Sequence, residues 1–169
     1  EELTLTEQEA DAFLSLHDRA SENGQENILG FINGRRTEIY TSELEGKVEV
    51  PKEFLDKNNQ NVKIYHNHTN CTTPSGGDLE KLTYENVSEI GVITANGDIY
   101  TVSVGDGERP SLEEFHAVAK QIEKEADKAI MEYPGFYEWS FPQRNYMAIR
   151  EKTYRIVRHF GWTMKGGKR

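Results

Sequence analysis

Two Asn-Gly dipeptides each sit between short apolar runs rich in β-branched and aromatic residues. "ILGFI" precedes Asn33-Gly34 and "RRTEIY" follows it; "EIGVITA" precedes Asn96-Gly97 and "DIYTVSV" follows it. Asn-Gly in that setting is a strong local hairpin signal, because both residues tolerate the positive φ that tight β-turns need. The chain is therefore committed to at least two antiparallel strand pairs. A further run, "NVKIYHNH", predicts another strand.

Helical signals surround these strands. "TLTEQEADAFLSLHDRASENG" predicts a first helix, with Thr6 and Glu9 as a capping box, Ala10, Phe13, Leu14 and Leu16 as its apolar stripe, and Asn23-Gly24 as its stop. "KVEVPKEFLDKNNQ" predicts a short strand, a short helix begun by Pro51 and a polar loop. "DLEKLTYEN" looks helical, and "DGERP" reads as a turn. Ser111 and Glu114 then cap a long helix through about Tyr133. "PGFYEWSFPQ" breaks it, and a last helix runs from about Arg144 to Phe160, stopped by Gly161. The pattern is α+β: a helix, a sheet of roughly five or six strands, then helices. There is no internal repeat and no low-complexity linker.

The 169 residues suffice for a domain with a sizeable core, and 36% hydrophobic with 29% charged residues is a polar but globular composition. Acidic residues outnumber basic ones 29 to 20, a formal charge of −9, which disfavours nucleic acid as a partner. Arg150, Lys152, Arg155, Arg158, His159, Lys165, Lys168 and Arg169 form a basic cluster in the last third, read as a solvated helix face with a charged tail. A single cysteine, Cys71, excludes an internal disulfide and fits a reducing compartment. No apolar run approaches the ~20 residues of a membrane span, so no membrane is expected as a partner. No signal peptide is visible, and the start at "EELTLTEQ" without methionine fits a piece of a longer protein.

The chemistry concentrates in "YHNHTNCTTPSGGDLEKL", residues 65 to 82. A strand puts residues i and i+2 on one face, so His66 and His68 can point to one spot while Asn67 points away. Asp78, at the start of the following helix, is the natural third ligand. Two imidazoles and a carboxylate suit zinc and leave a fourth position for water, the mark of a catalytic site. The plainer reading stands beside it: Ser75-Gly-Gly-Asp78 also matches a helix capping box, and Thr-Pro-Ser-Gly-Gly is a good loop.

"HNHTNCTTPSGGD" resembles the zinc motif of the JAB/MPN+ (JAMM) metallopeptidases: His-x-His, a short loop, then Ser-x-x-Asp. The His-Asn-His frame resembles their DNA-repair-associated bacterial branch. The loop from His68 to Ser75 is one residue shorter than the common form, and Thr69 stands where a proline is usual. Both departures resemble divergent members in phage head-associated proteins and bacterial toxin modules. The resemblance spans about residues 26 to 105 and includes the strand, Gly turn and Tyr-containing strand of "EIGVITANGDIYTVSVG". It implies a mixed-sheet MPN (cytidine-deaminase-like) core over residues 1–108, with a C-terminal helical extension over 109–169 packed on the same domain. It also implies zinc held by His66, His68 and Asp78, with Ser75 assisting the oxyanion and an upstream glutamate as general base.

For that glutamate the resemblance points to Glu26, which opens "NILGFIN". The family's Glu-x-x-Gly-x-x-x-Gly strand has its glycines at Gly30 and Gly34, and strict alignment places Asn27 at the glutamate position. One residue of slip turns a side chain to the other face of the sheet, so the register decides. Glu38 and Glu43 are the alternatives. The implied substrate is a peptide or protein with an extended segment beside the sheet, cleaved at a peptide or isopeptide bond. The phage and toxin likeness implies a delivered or secreted effector, with a cytoplasmic location as the alternative. The alternative is an inactive MPN-like scaffold or binding module.

Other readings compete. The string "HNH" suggests a nuclease, but those enzymes disperse the three residues over a ββα-metal unit. Cys71 could act as a nucleophile or as an extra ligand. His17, His116 and His159 fall within helices and read as satisfied surface or boundary histidines. Tyr133, Phe136, Tyr137, Trp139 and Phe141 are expected to pack in the core between the C-terminal helices, with a hydrophobic groove for a protein partner at this extension as the sharper alternative. Trp162 is expected to pin the tail.

Overall fold

The structure, a computed structural model, describes residues 1–42 and 48–167. Strands β1 (Asn27–Ile32), β2 (Arg35–Arg36), β3 (Tyr40–Thr41), β4 (Val62–Asn67), β5 (Val87–Ile93), β6 (Ile99–Ser103) and β7 (Thr163–Gly167) form one sheet. Its order is β2-β1-β4-β5-β6-β7, with β3 also pairing β1. Only β4 and β5 run parallel; the other pairs are antiparallel. The helices are α1 (Glu7–Asn23), α2 (Lys52–Leu55), α3 (Gly76–Glu80), α4 (Leu112–Met131) and α5 (Phe141–Phe160). The α+β class read from the sequence is what the chain adopts.

Both hairpins form, by different turns. At Asn33 and Gly34 φ is +52° and +78°, the pair of positive values a two-residue I′ loop requires. In the second turn only Gly97 is positive, and the Thr94 amide reaches past it to the Asp98 carbonyl. The returning strand of the first hairpin is split into β2 and β3. Between them Thr37 turns inward and its hydroxyl accepts from the Gly30 amide.

The sheet is covered on both faces. On one, α1 packs Ala12, Phe13 and Leu16 against Leu29, Phe31, Tyr65, Ile93 and Ile99. Gly91 is needed there: a Cβ would stand 2.6 Å from the Phe13 ring and 2.7 Å from Tyr65, which stack on each other. On the other face Ile64 and Ile90 meet Leu79 from α3, Phe115 and Ile122 from α4, and Ile156 and Val157 from α5.

Several expectations fail for physical reasons. Leu14 is 47% exposed; Ala12 takes its place in the α1 stripe. The strand expected in "KVEV" is absent from its described part: Val48 and Val50 pack against the core without pairing, and Lys47 lies outside the described residues. The helical stretch expected from Asp78 starts at Gly76 and ends as a 3-10 turn over Lys81–Thr83. α5 starts three residues early, because Ser140 accepts from the Gln143 amide and caps it.

Among the described residues the sheet has seven strands, counting the split β2 and β3 and the tail, which joins as β7. "TMKGG" has no apolar alternation to announce a strand. Gly166 permits it: a Cβ there would lie 1.9 Å from the Ile99 carbonyl oxygen. Trp162 is 8% exposed and stacks on Phe160 and Phe115, anchoring the tail as expected.

The aromatic connection is not core. Tyr137 is 76% and Phe141 84% exposed, while Phe136, Trp139 and Tyr133 contact one another at the surface. The buried positions of the two helices are supplied instead by Phe115, Ile122, Ala126, Ile130, Thr153, Ile156 and Val157. In the basic cluster, Lys152 pairs with Glu123, and Arg155 with Glu125 and Glu151, so acids of α4 and α5 face it. Lys168 and Arg169 lie outside the described residues. Among the described residues no helix is long and apolar enough to cross a membrane.

Candidate metal centre

Strand β4 is hydrogen-bonded on both sides, which fixes its register. His66 stands opposite Ile28 of β1 and Val92 of β5. His68 lies just past the strand, but its amide donates to the Ile93 carbonyl, so the extended backbone continues. Alternation then aims His66 and His68 to one side, with ring centroids 4.9 Å apart. Both are buried, at 7% and 8% exposure.

Asp78 arrives from α3. Its amide donates to the Ser75 hydroxyl, and its carboxylate accepts from the Ser75 amide at 2.8 Å. This is the capping box, and it coexists with the ligand geometry instead of replacing it. The box turns the carboxylate toward the histidines: Oδ1 lies 3.2 Å from His66 Nε2, and Oδ2 lies 3.1 Å from His68 Nε2. One ligand atom from each of the three residues falls within 4.8 Å of the others. Donors around a tetrahedral zinc with bonds of about 2.0–2.2 Å stand about 3.3 Å apart. The two carboxylate–imidazole separations are near that length, each to a different oxygen of Asp78, and two imidazoles with one carboxylate are a donor set that could hold the ion.

The tautomer of His68 strengthens the case. Its Nδ1 lies 2.9 Å from the Thr72 carbonyl oxygen, which can only accept. Nδ1 therefore carries the hydrogen, and in the neutral ring Nε2 offers a lone pair. That lone pair meets a carboxylate oxygen, an arrangement that requires a cation between them, either a proton or a metal. A carbonyl holding the far nitrogen is a common support for a ligating histidine. Burial pushes the pKa of His68 down, but Asp78, the Thr72 carbonyl and Glu26 together raise it. Burial pushes the Asp78 carboxyl up, yet His66 and His68 hold it well below the usual carboxylate range. The pocket thus favours an anionic carboxylate facing positive charge.

Glu26 lines the same cleft, of about 520 Å³, as His66, His68, Ser75 and Asp78. The register question is answered by its neighbour. Asn27 is fully buried on the α1 side, where its amide donates to the Asn67 side chain at 2.7 Å and its own side chain accepts from Thr41. The adjacent Glu26 falls on the cleft side, two residues before Ile28, which lines the cleft as well. Asn67 also donates to the Gln25 carbonyl, so it ties down the segment that carries Glu26. Sequence reasoning assigned Asn67 no task. Its signal was available: a buried amide out of phase with an apolar strand needs partners.

The remaining candidates lie elsewhere. Glu38 is exposed in a separate surface cleft with Tyr40 and Glu53, away from the histidines. Glu43 is outside the described residues. Cys71 is exposed and not among the converging ligand atoms. His17 contacts the Ala95 carbonyl, His116 pairs with Glu80, and His159 packs on Phe160. No family model matches the chain, and no curated protein or solved structure matches it.

Proposed function

We propose that the chain is a zinc-dependent hydrolase of the JAMM type, cleaving a peptide or isopeptide bond. The observation that carries this reading is the convergence of His66, His68 and Asp78 on one point in the wall of a cleft that also exposes Glu26 and Ser75. Zinc bound there would supply Lewis acidity and lower the pKa of water toward neutrality. His66, His68 and Asp78 would hold it. Glu26 takes a proton from the attacking water and returns it to the leaving amine. The Ser75 hydroxyl accepts from the Asp78 amide, which leaves its own hydrogen to donate to the developing oxyanion, worth about 2.7–4 kcal/mol for one donor. The apolar side of the cleft, with Ile28, Val48, Val50 and Ile64, suits an extended segment of a peptide or protein substrate.

The test is elemental analysis and peptide or isopeptide cleavage on three proteins. Wild type is expected to hold one zinc and cleave. Glu26→Gln keeps the zinc and loses cleavage. His68→Ala loses both. A wild type that takes up no zinc ends the proposal. One that holds zinc and cleaves nothing across a broad panel supports the second reading, an inactive scaffold or binding module.

A further inference from the structure

We propose that helix α5 belongs to the metal centre, with Thr153 as a positioning residue for Asp78 and Ser75. The inference rests on reading the cleft as a metal site. The three ligands are held very differently. His66 and His68 are fixed by a strand paired on both edges. Asp78 sits on a helix of five residues, a length that does not sustain itself in water. Its capping box links Ser75 to Asp78 within the same short segment, so it shapes the turn without fixing where the turn lies relative to the sheet. Leu79, buried in the core with Ile64 and Ile90, seats the body of α3 on the sheet, and the end that carries Ser75 is gripped from outside.

α5 supplies that grip on the loop side. Thr153 is fully buried, and its hydroxyl donates to the Pro74 carbonyl, 79 residues away in the chain. A threonine inside a helix commonly bonds a carbonyl of its own preceding turn; this one reaches across to the loop. Pro74 is buried, has no N–H to offer, and directly precedes the cap residue. The first residue of α3 is gripped from α5 as well: the Lys152 stem lies over Gly76, where a Cβ would stand 3.3 Å from Lys152 Cε. Removing the Thr153 hydroxyl leaves a buried carbonyl without a donor. The loop then moves to find one and carries the carboxylate off the imidazoles. A helix about 80 residues downstream in sequence thereby sets the affinity of the site.

The experiment is a Co²⁺ titration of the full chain, followed by visible absorption, with thermal unfolding measured in parallel. Thr153→Val, which keeps the shape and removes the hydroxyl, is expected to weaken Co²⁺ binding about 10- to 100-fold, the range for lost ligand support. Thr153→Ser, which restores the hydroxyl, stays within about 3-fold of wild type. Ile122→Val, a packing change in α4 away from the loop, lowers stability and leaves Co²⁺ affinity unchanged. Should Thr153→Val fail to fold, Thr153→Ala replaces it. Wild-type affinity in the variant without the hydroxyl overturns the inference alone, as does a serine variant as weak as valine. A wild type that binds no Co²⁺ overturns the metal-site reading and this inference with it.

Discussion

Strand β4 keeps different company on its two faces. Toward α1 it sends Lys63, Tyr65 and Asn67; toward the cleft it sends Ile64, His66 and, just beyond its end, His68. The α1 side is closed upon itself. Lys63 lies 2.9 Å from Glu9 and 3.4 Å from Glu89, and the buried Tyr65 hydroxyl contacts both carboxylates. Glu9 accepts from the Thr6 amide as well. The donors and acceptors match, which is what a supporting network looks like. On the cleft side two imidazoles converge on one carboxylate, and His68 Nε2 faces an oxygen across a gap that a proton or a metal must fill. One strand thus separates two kinds of buried polarity, one complete and one calling for a cation.

That contrast can be broken or sharpened by experiment. The largest effect is expected from His66→Ala or His68→Ala, which should lower zinc affinity by roughly 10³-fold or more through loss of one of three ligands, read by metal competition. Lys63→Met, on the opposite face, should leave it unchanged; equal losses from both faces would erase the distinction. Glu26→Gln should cut kcat by about 10²–10⁴ with zinc content intact.

Gly91→Ala should cost about 2–3 kcal/mol in denaturant unfolding, because its methyl group meets the stacked Phe13 and Tyr65 rings. Tyr65→Phe should cost about 1–2 kcal/mol by removing the one hydrogen that Glu9 and Glu89 share, again with zinc retained.

The smallest effect is in acid. Burial pushes Glu9 up, but the Thr6 amide, Lys63 and Tyr65 outweigh it and bring its pKa from 4.5 to about 2. A depressed folded pKa stabilises above the unfolded value and is lost as pH falls, so this contribution fades from about pH 4.5 toward pH 2. Burial raises Glu89, with opposite sign: its charge costs stability at neutral pH, and protonation relieves that cost above 4.5. Glu9→Gln should flatten the acid limb by on the order of 1 kcal/mol, once solvent screening of this partly exposed group is allowed for.

What the sequence conveyed follows the same physical lines. Local, short-range signals were legible: the Asn-Gly turns, the Thr6 and Ser75 caps, and the i, i+2 histidines on a strand. Features set by distant partners were not. Glu26 was named from the sequence, but the turning of Asn27 toward Asn67, which leaves Glu26 on the cleft side, depends on pairing between β1 and β4. β7 has no apolar rhythm, and its glycine matters only because Ile99 comes so near. The exposed aromatic connection carries the composition of a core segment, yet the long helices had already filled those positions. Nothing adjacent to Thr153 hints that its hydroxyl would reach Pro74.

The dual employment of Asp78 has a consequence for substitution there. One oxygen pair both starts a helix and completes the imidazole arrangement. Asparagine would keep the first task and give up the charge for the second; alanine would forfeit both. Position 78 therefore carries two loads at once: asparagine separates them, and alanine removes both together.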